Sequence, residues 1–185
     1  MRVISGKARG TKLYTLEGLL TRPTLDRVKE SLFNIISNKI KDCVFLDLFA
    51  GSGAIGIEAA SRGAKKVILC DKSKEAMKVI KKNIEKTHLE EIIQVYCDSY
   101  ENVLNKGFLE KPDIIYLDPP YNTDYVFLAL KQLLEKNLLK KETLVIIETD
   151  DSERIEKQLE ILNLEKTDKR KYGRAYLIFL KQKEI

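Results

Sequence analysis

Two rhythms of apolar residues run along the chain. From residue 43 onward, apolar runs at about 43–48, 66–71, 92–97, 113–118 and 143–149 alternate with segments near 53–62, 73–86, 99–105, 123–136 and 152–162, whose apolar positions recur every three or four residues. The short runs read as buried strands and the longer segments as amphipathic helices. Their alternation predicts an α/β sheet, mostly parallel, with helices on both faces. Two further extended runs, 164–172 and 174–181, flank "YGR" and predict a closing hairpin, which must put an antiparallel strand in the edge region of the sheet.

The first 42 residues follow a different plan. Residues 2–5 and 11–14 flank "GKARG" and predict a hairpin with Lys7, Arg9 and Lys12 at its tip. "TRPT" then breaks the chain, and Thr24 can cap a helix that begins at Leu25 and carries Leu25, Val28, Leu32, Ile35 or Ile36, and Ile40 on one face. The expected organisation is a basic hairpin and helix over 1–42 packed on a main domain over 43–185. Charge sharpens this division. Residues 1–42 hold nine Lys and Arg against four Asp and Glu, while 43–185 hold 24 of each, so the whole formal net charge of +5 falls in the first segment. One-sided positive charge suits a polyanion, most often nucleic acid; a solvated basic face is the alternative.

Composition removes several classes. A chain of 185 residues can bury roughly 70% of its unfolded surface around one core. The longest apolar runs, such as "LVII" at 144–147, fall far short of a membrane span. No apolar stretch follows Met1 and Arg2, so the expectation is a cytoplasmic protein without a secretory leader. Cys43, Cys70 and Cys97, an odd set spaced 27 residues apart, read as free thiols beside or inside buried strands rather than a disulfide framework or metal site. With His88 the only histidine, Ser-His-Asp chemistry and multi-His metal centres are hard to build.

Chemistry concentrates where strands end. "DLFAGSGAIG" at 47–56 contains G-x-G-x-x-G, with Asp71 twenty residues past Gly51, which taken literally is a dinucleotide fingerprint. Yet four predicted strands end in or run directly into aspartate: Asp47, Asp71, Asp98 and Asp118. A carboxylate at Asp47 would face the pyrophosphate, and two like charges about 4 Å apart repel by about 4 kcal/mol at an effective dielectric of about 20. The acids suit a nucleoside that carries an ammonium and a sulfonium but no phosphate, S-adenosylmethionine. Gly51 and Gly53 would permit close backbone approach, Asp71 would accept the ribose hydroxyls and Asp98 the adenine amino group. Clustered carboxylates are also compatible with magnesium, but no second motif supports a metal and none is expected.

The stretch "YLDPPYN" at 116–122 adds a reaction. Two prolines after an apolar strand stop the ladder and fix an extended backbone that presents Asp118 and Tyr121 at the sheet edge. An exocyclic base amine is a weak nucleophile because its lone pair is delocalised into the ring. Asp118 and the Pro119 carbonyl can accept its hydrogens and free that lone pair for attack on a methyl group, while Tyr121 stacks on the base. A fixed carboxylate also stabilises the positive charge that develops on nitrogen. A base in folded RNA or a duplex must leave its stack to reach such a pocket.

"DLFAGSGAIGIEAASRGA" followed by "YLDPPY" resembles the Rossmann-like class I methyltransferases that act on exocyclic amines. "RVISGKARGTKL" and "TRPTLDRVKESLFNII" resemble the start of the RsmD family, bacterial methyltransferases of small-subunit ribosomal RNA, and the likeness extends to "KYGRAYLIFL". The resemblance implies S-adenosylmethionine held by Asp47, Phe49, Ala50, Gly51, Ser52, Gly53, Asp71 and Asp98, with Lys72 and Ser99 beside the two acids. It implies a catalytic set of Asp118, Pro119, Pro120 and Tyr121, and methylation of guanine N2 in 16S ribosomal RNA, within an assembling small subunit or free. Asp71 stands where many relatives carry Glu. Arg22, Thr24 and Arg27 match the preface motif and are expected near the cofactor or the flipped base; with Arg2, Lys7, Arg9 and Lys12 they form the expected RNA-binding set. A monomer is expected. Competing readings are an adenine-N6 DNA methyltransferase, a protein glutamine-amide methyltransferase, an NAD-dependent oxidoreductase and a non-catalytic RNA-binding module.

Overall fold

The computed structural model describes residues 1–16, 23–108 and 110–183. Helices α1 (Pro23–Ile35) and α2 (Ser37–Ile40) precede an alternating series: β1 (Val44–Asp47), α3 (Ala54–Ser61), β2 (Lys66–Asp71), α4 (Lys74–Thr87), β3 (Ile93–Cys97), α5 (Tyr100–Lys106), β4 (Ile114–Leu117), α6 (Tyr125–Glu135), β5 (Leu144–Thr149), α7 (Ser152–Leu159), β6 (Leu164–Tyr172) and β7 (Ala175–Gln182). The strands form one sheet in the order β3-β2-β1-β4-β5-β7-β6. β1 to β5 pair in parallel, and β7 runs antiparallel to both β5 and β6. This is the Rossmann-like α/β fold that the apolar rhythm predicts, with the antiparallel strand near the edge.

Successive side chains on a strand point to opposite faces, so each central strand feeds two cores. Phe45, Val67, Ile114, Tyr116, Leu144 and Ile146 pack on one face with residues of α1, α3 and α4. Val44, Leu46, Ile68, Ile115, Leu117, Val145 and Ile147 pack on the other with α5, α6 and α7. Every residue of β1 and β5 is buried, which is why those runs carry no polar alternation. Helix starts are set locally: the Ser73 hydroxyl accepts Ala76 N–H at 3.2 Å and the Asp151 carboxylate accepts Arg154 N–H at 3.0 Å.

The N-terminal segment shares the first core. Val3, Ala8, Leu13, Val28, Leu32 and Phe33 belong to the same cluster as Phe45 and Ile57. Its hairpin is narrow, joined by the single bridge Arg2↔Lys12 and the bond from Val3 N–H to Thr11 carbonyl at 3.0 Å. Glu58, fully buried on α3, anchors it by accepting Ile4 N–H at 2.8 Å and Ser5 N–H at 3.0 Å. Ser61 adds a second anchor, accepting Ala8 N–H at 2.9 Å and donating to the Ser5 carbonyl at 2.6 Å.

Three local expectations change. The helix starts at Pro23 rather than Leu25, so Thr24 lies in its first turn and is no cap; proline is favoured there because its missing N–H is one the first turn leaves unbonded anyway. The single helix expected to run to Ile40 breaks at Ile36 (φ −97°, ψ 12°) into α1 and α2. Cys43 and Cys70 are buried thiols as expected, whereas Cys97 is exposed, because β3 is an edge strand.

Candidate active site

Strand order reverses between β1 and β4: the chain steps outward from β1 through β2 to β3, then returns to the far side of β1. The carboxyl ends of β1 and β4 cannot both be covered by the crossovers that leave them, and a crevice results. A cavity of about 620 Å³ opens there. It gathers Asp47, Phe49, Ala50, Gly51 and Ser52 after β1, Asp71 and Lys72 after β2, Asp98 and Ser99 after β3, and Asp118, Pro119, Pro120 and Tyr121 after β4. Gly53 does not line it; at φ 78° it is the N-cap of α3 behind the loop.

The glycine loop is closed in on itself. Phe49 N–H is donated to Asp47 Oδ1 (3.2 Å), Ala50 N–H to the Cys70 carbonyl (2.9 Å), Gly51 N–H to Asp71 Oδ2 (2.9 Å) and Gly53 N–H to the Ala50 carbonyl (2.7 Å). Those four donors are spent inside the protein, so the loop offers little of the amide cradle a pyrophosphate needs. Gly51 is required by its φ of 55°, and Gly56 by packing, since a Cβ there would lie 2.2 Å from Leu69 Cδ2. The literal dinucleotide match thus describes backbone shape and not phosphate binding.

The strand-end acids differ in what answers them. Asp71 accepts Ser73 N–H at 2.8 Å besides Gly51. Asp98 accepts Ser99 N–H and Asn102 Nδ2 at 2.8 Å each and Lys106 Nζ at 2.9 Å. The Asn102 bond, followed by those of Lys106 and Ser99, brings its carboxyl down to about 2. Asp47, 1% exposed, goes the other way: burial first, with the charge of Asp71 behind it, pushes it up to about 7 against the opposing bond from Phe49. Asp118 is raised well above the ordinary carboxylate range by burial and then by the charges of Glu148 and Asp47. The two residues after it are prolines, which have no N–H. The backbone donors one or two residues on that quench Asp47, Asp71 and Asp98 are therefore missing for Asp118.

Several cavity residues carry no sequence signal. Glu148, 7% exposed, ends the apolar run of β5, and the Tyr116 hydroxyl from β4 donates to its Oε2. Burial raises the Glu148 carboxyl. Phe49, Tyr100 and Tyr125 form an aromatic wall with centroid separations of 5.4, 5.6 and 6.2 Å. Met1 and Lys29 reach the cavity from the N-terminal segment. Lys29 is 2% exposed, donates to the Arg2 carbonyl and pairs with Glu58 Oε2 at 3.4 Å; burial lowers its pKa, against the pull of Glu58. A buried lysine inside an amphipathic helix looks like a surface residue in sequence, which is why its place was not legible. Asn83, fully buried on α4, clips the N-terminal segment to the loop: its Oδ1 accepts Tyr14 N–H (2.7 Å) and its Nδ2 donates to the carbonyls of Tyr14 (3.0 Å) and Ser52 (2.9 Å).

Arg2, Lys7, Arg9, Lys12 and Arg27 are exposed and do not line the cavity, and none makes an ion pair among the described residues. Arg22 and the Thr24 side chain lie outside the described residues.

Comparison with known proteins adds a lineage. The family model described as "Conserved hypothetical protein 95" matches residues 1–181. The Ribosomal RNA small subunit methyltransferase D of Haemophilus influenzae is 38% identical over 160 residues, covering 81% of this chain and 79% of its own. The Escherichia coli K12 protein of the same name is 32% identical, covering 81% and 75%. A solved structure of the Escherichia coli protein yhhF superposes with a TM-score of 0.82 at 28% identity, covering 100% of this chain and 99% of that one.

Proposed function

The chain belongs to the family described as "Conserved hypothetical protein 95", the RsmD family, and from that premise we propose that it transfers a methyl group from S-adenosylmethionine to the exocyclic N2 amine of a guanine in small-subunit ribosomal RNA. One observation carries the reading: Asp118-Pro119-Pro120-Tyr121 opens onto the same cavity as the glycine loop.

The residues present fit a cationic nucleoside without phosphate. Four of the loop amides are already bonded, carboxylates rim the cavity, an aromatic wall flanks it, and the buried Tyr100 hydroxyl has no hydrogen-bond partner among the described residues. In this reading Asp71 takes the ribose hydroxyls on the lone pairs that Gly51 and Ser73 leave, and Asp98 with Ser99 borders the adenine. Bound there, S-adenosylmethionine supplies an electrophilic methyl group. Asp118 and the Pro119 carbonyl accept the amine's hydrogens and leave its lone pair free, Pro120 holds the backbone extended, and the exposed ring of Tyr121 stacks on the base. Burial and the charge of Glu148 raise the proton affinity of the Asp118 carboxylate, which suits it to take the proton the amine releases. The basic hairpin meets the RNA backbone.

The test is to incubate the protein with methyl-labelled S-adenosylmethionine and small ribosomal subunits, free 16S RNA or DNA, digest, and identify the labelled nucleoside. N2-methylguanosine from RNA is expected; N6-methyladenine from DNA would replace the reading. Reversing the charges of Lys7, Arg9 and Lys12 should lower RNA affinity and flatten the slope of log affinity against log salt by about 2. An unchanged slope would remove the hairpin from the RNA interface.

A further inference from the structure

Beside the catalytic aspartate stands a second acid that the reaction above does not use. β4 and β5 are in parallel register, with Tyr116 opposite Ile146 and Leu117 opposite Ile147. One step further, Asp118 and Glu148 leave neighbouring strands side by side. Tyr116 and Ile146 both pack in the first core, so by strand alternation Asp118 and Glu148 project toward that same face. Both line the cavity, and Glu148 is 7% exposed. Tyr116, itself 2% exposed, fixes Glu148 through Oε2, and no donor among the described residues reaches Oε1. Open to the cavity and bound by no protein donor among the described residues, that oxygen can accept a hydrogen bond from a ligand.

We propose that Glu148 is the residue that selects guanine, its free oxygen accepting N1–H while Asp118 accepts from the adjacent N2 amine. The proposal rests on the guanine-N2 reading and adds to it the source of base specificity. Guanine's Watson–Crick edge places two donor groups next to each other. Adenine places an acceptor, N1, beside its only donor, and an acceptor set against the Glu148 carboxylate would leave two lone pairs opposed. Neighbouring strands lie about 4.8 Å apart, close enough for two side chains to converge on adjacent donors. A ligand that donates to both acids also relieves their mutual repulsion, which one that donates to a single acid cannot do.

2-Aminopurine separates this role from a structural one. It keeps the 2-amine to be methylated but carries an acceptor at N1. Once the modified position has been mapped with the wild-type protein, methyl transfer is measured on that RNA with guanine or 2-aminopurine at the target, for wild type and for Glu148→Gln. Wild type should prefer guanine by about 100-fold or more, as a site built around a substrate N–H rejects the analogue lacking it. Glu148→Gln, whose amide can donate to an N1 acceptor, should bring the preference within about 10-fold, with S-adenosylmethionine binding by calorimetry unmoved. If Glu148→Gln does not fold, Tyr116→Phe, which frees Glu148 from its anchor, should lower the preference in the same direction. A wild-type product of N2-methylguanosine with an unchanged preference in the variants overturns the role of Glu148 alone. A product other than N2-methylguanosine overturns the functional reading and this inference with it.

Discussion

The crevice has two halves, each lined by a pair of carboxylic acids, and their surroundings are opposite. At the ends of β2 and β3, Asp71 and Asp98 meet donors at every turn, and Asp98 is driven down to about 2. At the ends of β4 and β5, Asp118, partly buried, and Glu148, buried, lie close enough for the charge of Glu148 to act on Asp118, and both are driven up. The segment after each strand contributes to the difference, beside the burial and the neighbouring charges that raise Asp118. Asp98 runs into α5, whose first turn supplies the Ser99 amide, the Asn102 side chain and, further on, Lys106. Asp118 runs into two prolines, which supply nothing. One half answers its acids with donors, and the other sets two acids side by side with few.

The largest expected effect comes from removing the reactive acid. Asp118→Asn should lower methyl transfer by about 1,000-fold, within the usual range for loss of a general base, while leaving thermal stability equal or higher, because a partly desolvated acid beside a second acid costs stability where it stands. A variant that lost stability in step with activity would make Asp118 a structural residue. Next in size, Pro120→Ala restores an N–H two residues after Asp118, the spacing at which Phe49 serves Asp47 and Ser73 serves Asp71. That donor should stabilise the charged form and move the acidic limb of the pH–rate profile down by about one unit. No movement would break the comparison, since it would mean that proline's missing amide is irrelevant to Asp118.

Linkage gives Asp47, on the strand between the two halves, and Asp98 opposite pH slopes. Asp47 titrates at about 7 in the folded protein, above the unfolded value of about 3.9, so the folded state binds more protons and stability is lost as pH rises from about 4 to 7. Asp47→Asn keeps an oxygen for the Phe49 amide and should be more stable than wild type at pH 8, with the gap closing toward pH 4 in urea unfolding. Asp98 titrates at about 2, below its unfolded value, so its contribution is complete above about pH 4 and is lost as pH falls through 2. Asp98→Asn should flatten only that acid limb, and by less, because this acid is partly exposed and screened by water.

Much of the site was legible because strand ends are legible. The rhythm located every central strand to within two residues, and the acids that end or follow them, Asp47, Asp71, Asp98 and Asp118, do line one cavity. Glu148 was not, since "LVIIET" gives no sign that its acid faces a cavity rather than water. Tyr116 reads as one more apolar strand residue, and Lys29 and Asn83 as polar positions on amphipathic helices, although the first is 2% exposed and the second fully buried.

Sequence alone determined the order of strands and helices, the shape of the glycine loop and the lack of backbone N–H groups at the two positions after Asp118, because periodicity, positive φ and proline's missing N–H are properties of a few consecutive residues. Tertiary structure decided which strand lies beside which, and so that Tyr116 reaches Glu148, that Glu148 stands next to Asp118, and that Lys29 is buried against Glu58. Those pairings join residues 29 to 32 positions apart along the chain. They form only when crossover connections bring distant strands and helices together, and no local pattern of residues encodes that distance.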